Sequence, residues 1–342
     1  MAILVTGGLG FIGSHTVVEL VTHGHHVVIL DDFSNSSMKV LHIIRTLCDS
    51  TKVSFVQGTI LNEPVLEIVF NDYTIDTVIH FAAFKAVKES IAKPIEYYEN
   101  NVYGTVKLLQ YCQKYRTKRF IFSSSATVYG SSESPLYEDS NVGIDITNPY
   151  GRSKYMCENI IQDFANTSDV ECVILRYFNP VGAHPSGLLG EDPHGIPNNL
   201  MPFLLRVAKK KSLDPKMDKT YELLSILGND YNTPDGTCIR DFIHVVDLAR
   251  AHIAACNVYS NKVKFDVFNI GTGKGTSVLE LVSTFMEINK TDVPYVFDKR
   301  RQGDLESVYC NCNKANKILN WKAEFTIEDI VRDSWNFIQK NS

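Results

Sequence analysis

The sequence predicts an α/β fold, a doubly wound parallel sheet followed by a smaller, mixed α/β unit. Three observations carry this. Short apolar runs rich in β-branched residues recur at ILVT, HVVIL, VSFVQ, TVIHFAA, RFIFSSS and ECVILRYF. Segments with helical spacing separate them, and a glycine-rich turn joins the first run to the first helix. Strands apolar throughout are buried on both faces. Their alternation with helices implies right-handed crossovers and helices on both sides of the sheet.

The elements follow in order. ILVT ends at the glycine turn, and a helix carrying Ile12, His15, Thr16, Glu19 and Leu20 runs to Gly24. HGHH at 23–26, where helix gives way to strand, reads as a polar turn rather than a metal site. Further helices are expected over about 62–72, 96–115 and 150–167. After about residue 180 the pattern changes. NPVGAHPSGLLGEDPHGIPNNLMP is too long and irregular for a simple connector and reads as a binding loop. Beyond it come a helix near 200–211, short strands around 222–227 and 239–243, and helices near 247–258 and 277–288. KKK at 209–211 reads as a solvated face. A second glycine cluster, NIGTGKGTS at 269–277, has no acidic residue ending a following strand. It reads as a strand–helix turn with Ser277 as N-cap.

Composition narrows the function. The chain has 342 residues, 44% hydrophobic and 21% charged, with a net charge of −5. Interspersed charge gives no footprint for nucleic acid or a membrane surface, and no apolar run reaches the about 18 residues of a membrane helix. The amino-terminal residues read as a strand and turn rather than a leader, so a cytoplasmic protein is expected. Most of the eight cysteines sit in apolar segments and read as reduced, packed thiols. CNC at 310–312 lacks a second pair, so no metal is expected. The sequons at Asn35, Asn166 and Asn289 carry no meaning in that compartment.

LVTGGLGFIGSH places Gly7, Gly10 and Gly13 between the first strand and its helix. The first glycine permits the turn, the second lets a phosphate approach the backbone, and the third lets helix and strand pack closely. Exposed N–H groups and the positive helix end favour a pyrophosphate. The next strand ends in Asp31, about 20 residues on, where a carboxylate accepts from both ribose hydroxyls and repels a 2′-phosphate. NAD is therefore expected over NADP, on a Rossmann-type domain spanning 1–180. A substrate domain is expected over 181–342, with parts of about 225–258 interleaved with the first.

YGRSKY puts Tyr150 and Lys154 on one face of a helix. A tyrosine, pKa about 10, becomes a usable base when neighbouring positive charge favours its phenolate. SSSA ends the fifth strand, facing the ligand crevice, so Ser125 is expected to hydrogen-bond a substrate hydroxyl.

This combination resembles the extended short-chain dehydrogenase/reductase family. More narrowly, SSSATVYG, NPYGRSK, RYFNPVGAHPSG, GEDPHGIPNNLMP, RDFIHVVDLA and GDLESVY are similar to segments of the UDP-galactose 4-epimerases, over residues 2 to about 335. The resemblance implies reversible C4 epimerisation of UDP-galactose and UDP-glucose through a 4-keto intermediate, with Tyr150, Lys154 and Ser125 catalytic and NAD regenerated each turnover. It also implies cofactor contacts from Phe11, Ile12, Asn35, Ser36, Thr59 and Ile60. Further contacts would come from Phe81, Ala82, Ala83 and Lys85, and from Asn100, Ser123 and Tyr177. For the UDP-sugar it implies Asn179, Asn199 and Leu200, with Ser225 and Leu227 facing uracil. Arg240 and Arg301 would hold the diphosphate in paired hydrogen bonds, and Asp304 the ribose.

Three features depart from that pattern. Thr59 stands where the family usually has an aspartate near the adenine, implying weaker NAD retention. The segment around 209–222 is longer than usual and reads as a surface excursion. Val308 stands where a bulky aromatic narrows the sugar pocket, implying that UDP-GalNAc and UDP-GlcNAc are also substrates. Rival readings are a sibling dehydratase, decarboxylase or uronate epimerase, and a non-catalytic dinucleotide sensor. The first lacks an acid beside Ser125 and a cation for a sugar carboxylate; the second has no need of the Tyr–Lys pair. The family implies a homodimer through helices 96–115 and 152–167. There Val106, Leu109, Ile160 and Ile161 would meet a partner or belong to the chain's own core.

Overall fold

The computed structural model describes residues 1–214, 216–258 and 263–341. Six strands coincide with the six apolar runs: β1 (Ala2–Thr6), β2 (Val27–Asp31), β3 (Val53–Gln57), β4 (Ile75–His80), β5 (Arg119–Ser125) and β6 (Glu171–Tyr177). Shorter strands follow: β7 (Asn179–Val181), β8 (Leu224–Leu227), β9 (Ile239–Arg240) and β10 (Phe242–His244). The last four are β11 (Phe265–Ile270), β12 (Thr276–Ser277), β13 (Tyr295–Asp298) and β14 (Ser307–Val308). The helices are α1 (Phe11–Thr22), α2 (Met38–Leu47), α3 (Glu63–Asp72), α4 (Val87–Ala92), α5 (Pro94–Tyr97) and α6 (Gly104–Lys114). Then come α7 (Pro149–Thr167), α8 (Leu200–Ser212), α9 (Val245–Asn257), α10 (Val278–Asn289) and α11 (Ile327–Lys340).

The main sheet has seven parallel strands in the order β11-β6-β5-β4-β1-β2-β3. Alternation along each strand divides its apolar residues between two cores. Ile3, Val5, Ile121, Val173 and Leu175 pack toward α1 and α9. Leu4, Phe120, Phe122, Cys172 and Ile174 pack toward α3, α6 and α7. The chain moves outward from β1 in both directions, so the carboxyl ends of β1 and β4 part at the order reversal and open a crevice there. A third core joins Leu204 and Leu205 of α8, Leu224 and Ile226 of β8, Phe285 of α10 and Trp335 of α11. This smaller layer carries the two-stranded sheet β13-β8 and the three-stranded sheet β12-β9-β14.

Several elements differ from expectation. The strand read ahead of the second glycine cluster is β11, which joins the main sheet as its seventh, edge strand, half-buried at Phe265, Asp266 and Val267 and fully buried only from Phe268. The helix expected over 96–115 is a composite. A π-helical turn at Tyr98–Tyr103 lies between α5 and α6, and the backbone stays helical through both joints. Helices α2, α4 and α11 were not foreseen. Yet α11 begins with a capping box, Thr326 with Asp329, a signal readable in sequence. Ser277 caps α10 as expected, in a capping box with Glu280. HGHH is a turn, with Gly24 at φ +92°. In the 209–222 segment Pro215 lies outside the described residues, and Tyr221 is buried, its hydroxyl accepting from Arg206 at 2.7 Å. Among the described residues no helix is long and apolar enough to cross a membrane. The eight cysteines are unpaired, seven of them buried.

Candidate active site

A cleft opens at the crevice. Its floor is the glycine turn. Gly7 has φ +68°, and a Cβ on Gly13 would lie 2.3 Å from the Gly7 carbonyl oxygen. No side chain caps the start of α1, so its first amides remain open donors at the positive helix end. Asp31 lies at the end of β2, where its carboxylate accepts from Leu9 N at 3.0 Å, Phe33 N at 3.0 Å and Ser36 Oγ at 2.6 Å. These bonds aim one acceptor across the glycine turn. Thr59 and Ile60 wall one side; Phe81, Ala82 and Ala83, leaving the end of β4, wall the other. Lys85, Asn100 and Tyr177 close the cleft with Tyr150 and Lys154.

The expected cofactor residues thus share one cleft, except Ser123. It is buried behind the wall, and its carbonyl accepts from Lys154 Nζ at 2.8 Å. Sequence reading missed Leu30, Asp32, Ser34, Gly58 and Phe84, which also line the cleft. It missed Glu191 as well, which pairs with Lys85 at 3.2 Å and accepts from Asn199 Nδ2 at 3.4 Å. Glu191 thereby ties the cleft to the binding loop. An acid inside a Gly/Pro-rich loop was the signal available for it.

The proton-transfer group is built where α7 meets β5. Asn148 caps α7, accepting from Gly151 N at 2.8 Å, and Pro149 fills the first turn. This fixes Tyr150 at the helix mouth, near Ser125, whose Oγ accepts from Thr127 N at 3.3 Å and Thr127 Oγ1 at 3.1 Å. Burial raises the Tyr150 pKa, with nearby Tyr177 adding to it, while nearby Ser125 lowers it. Lys154, also fully buried, is lowered to about 8 by desolvation. Its amine sits 4.7 Å over the Phe122 ring and donates to Ser123, not to the phenol. The two side chains therefore share a cleft wall and one helix face without touching.

The remaining residues lie on the smaller layer. Arg240 and Arg301 converge on Asp304, at 3.7 and 3.9 Å. Val308 is the register partner of Arg240 across β14 and β9. Ser225 and Leu227 occupy the outward alternate positions of β8, opposite core-facing Leu224 and Ile226. Asn179 begins β7, Asn199 is the N-cap of α8, and Leu200 is its first residue. Among the described residues, no hydrogen bond or ion pair given for Asn179, Asn199 or Ser225 reaches the arginine pair. The cleft is thus lined by backbone donors, the Asp31 acceptor and a buried phenol and lysine, while the arginine pair sits on the smaller layer. That arrangement suits an anionic dinucleotide and a second diphosphate-bearing ligand.

Comparison with known proteins fits this geometry. Residues 3–271 match the NAD dependent epimerase/dehydratase family. The UDP-glucose 4-epimerase of Bacillus subtilis is 47% identical over 100% of this chain and 98% of its own length. Among solved structures, a UDP-glucose 4-epimerase from Bifidobacterium longum in complex with NAD+ and UDP is 45% identical, with a TM-score of 0.92 over 100% of this chain and 99% of that one. One from Stenotrophomonas maltophila, with bound NAD and formylated UDP-arabinopyranose, is 40% identical, with a TM-score of 0.94 over 100% of this chain and 98% of that one.

Proposed function

The chain belongs to the NAD dependent epimerase/dehydratase family, and from that membership we propose that it interconverts UDP-galactose and UDP-glucose by inverting C4. The observation that carries this reading is a glycine-floored cleft whose lining includes both Tyr150 and Lys154, with Ser125 near the phenol. The cleft fits NAD: the uncapped α1 amides would meet its pyrophosphate, and Asp31 would accept from a ribose. When bound, NAD supplies the reversible two-electron acceptor for the sugar carbon. Tyr150 takes the proton of the 4-hydroxyl and returns it once the 4-keto sugar has turned. Ser125 holds that oxygen and orients the phenol. Burial favours the neutral phenol, so positive charge must offset it; Lys154 is the side chain placed to contribute. Arg240 and Arg301 keep the diphosphate fixed while the sugar turns, with Asp304 between them.

Val308 supports a wider range: with no aromatic ring there, the pocket admits a 2-N-acetyl group, so UDP-GlcNAc and UDP-GalNAc interconvert as well. We propose a cytoplasmic homodimer. Eight unpaired thiols suit a reducing compartment. Ile91, Ile95, Tyr103 and Met156 are exposed on α4 to α7 and offer an apolar face to a second copy. Leu109 and Ile161 do not contribute to that face; both are buried in the chain's own core.

The test is an assay of the pure protein with the pairs UDP-Gal/UDP-Glc and UDP-GalNAc/UDP-GlcNAc, and separately with UDP-glucuronate, with no added NAD. Interconversion within each pair is expected. Turnover of UDP-glucuronate alone would replace this reading with a uronate enzyme, and no turnover of any sugar would favour the sensor.

A further inference from the structure

We propose that Glu158 and Arg176 are positioning residues for the C4 proton transfer, locking α7 in register on the end of β5. The inference rests on the reading of Tyr150 as the proton acceptor. Tyr150, Lys154 and Glu158 lie at i, i+4 and i+8 on one face of α7. Each meets one of the three consecutive serines that end β5. Tyr150 lies near Ser125, and Lys154 donates to the Ser123 carbonyl at 2.8 Å. Glu158 accepts from Ser124 Oγ at 2.5 Å. Ser124 thus makes the third rung of a ladder whose other two rungs carry the chemistry.

Arg176 of β6 fixes Glu158 in turn. Its Nε lies 3.0 and 3.2 Å from the two carboxylate oxygens and its Nη2 2.7 Å from Oε2. Both side chains are 6% exposed. Arg176 Nη1 also donates to Tyr129 Oη and to the Glu138 carbonyl, each at 3.1 Å, and its guanidinium lies 4.9 Å over the Tyr129 ring. Tyr129 donates to Asn269 of β11 at 2.7 Å. One buried couple therefore connects α7 with β5, β6 and β11. A buried ion pair is a weak source of stability compared with apolar packing, but its forked bonds fix geometry. Geometry is what the reaction needs, because a catalytic group about 0.5 Å out of place is already too loose. A slip of α7 by one residue would break all three rungs together.

The couple also sets the charge around Lys154. The titratable groups facing that amine are Cys157 and Glu158 from α7 and His80 from β4, which burial keeps neutral with a pKa lowered to about 3. Glu158 raises the lysine pKa and partly offsets desolvation.

The experiment compares the wild-type holoenzyme with S124A, E158Q/R176M and Y150F, reading kcat, KM for UDP-Gal, the pH–rate profile and thermal unfolding. S124A leaves the ion pair intact and removes only the rung; E158Q/R176M removes both charges, so neither is left unpaired. The expected result is KM within about twofold in both variants. S124A should lose kcat several-fold and E158Q/R176M at least about tenfold, and the latter's alkaline limb should move to lower pH. Wild-type kcat and pH profile in both folded variants, with Y150F inactive, would overturn the inference. So would a loss confined to stability. An active Y150F would instead overturn the assignment of the base, and this inference with it.

Discussion

At the scale of single residues, the chemistry turns on what burial does to two protons. Tyr150 is driven toward its neutral form and Lys154 toward its own, so each needs compensation that the bound ligands complete. Tyr150→Phe keeps the ring and removes the proton acceptor; kcat for UDP-Gal should fall by about 10² to 10⁴, with the protein as stable as before. Val308→Tyr should abolish UDP-GlcNAc turnover while UDP-Gal turnover stays within a few-fold. Equal loss on both sugars would deny Val308 its role in specificity. Thr59 lines the cleft with a hydroxyl that accepts from Leu61 N at 3.3 Å. Thr59→Asp should slow NAD loss during dilution, and unchanged occupancy would show that the missing carboxylate does not matter. Residues set in motifs were legible in the sequence. Ser123 was named for cofactor contact; the structure shows it buried, its carbonyl accepting from Lys154. Spacing shows which residues share a face and not which atom of each is used.

At the scale of elements, α7 couples stability to function. Burial lowers the Lys154 pKa from its ordinary 10.5 to about 8 in the folded chain. Between those values the unfolded chain binds more protons, so this group's contribution to stability rises with pH across that window and is most unfavourable below it. The cost is on the order of 3 kcal/mol. Lys154→Met should therefore leave the NAD-free protein at least as stable as wild type below pH 8, with the difference shrinking as pH rises toward 10.5; activity should be lost throughout. Urea unfolding at several pH values checks this, and a variant much less stable at pH 7 would contradict it. The Asn148 cap, whose carbonyl accepts from Gly151, is worth about 1 kcal/mol. Central strands were legible because burial on both faces makes them apolar throughout, as in VVIL and RFIF. Strand β13 was not legible: its four residues are all exposed, and pairing with β8 rather than burial defines it. The π-helical turn between α5 and α6 was equally hidden, since one extra residue per turn barely alters an apolar repeat.

At the scale of the whole molecule, the sheet carries the glycine-floored cleft and the smaller layer carries the Arg240–Arg301 pair, with Glu191 linking Lys85 and Asn199. The Gly/Pro-rich segment was legible as irregular, but its internal partners were not, because irregular backbone has no period from which to read contacts. The central claim is that Tyr150 shuttles one proton while a permanently lodged NAD holds the electrons removed from C4. The most direct measurement uses UDP-galactose deuterated at C4, followed through many turnovers in ordinary water with no added cofactor. The account predicts UDP-glucose that keeps its C4 deuterium, with transient absorbance from reduced nicotinamide in the protein. Deuterium lost to solvent, or conversion with no such absorbance, would contradict it.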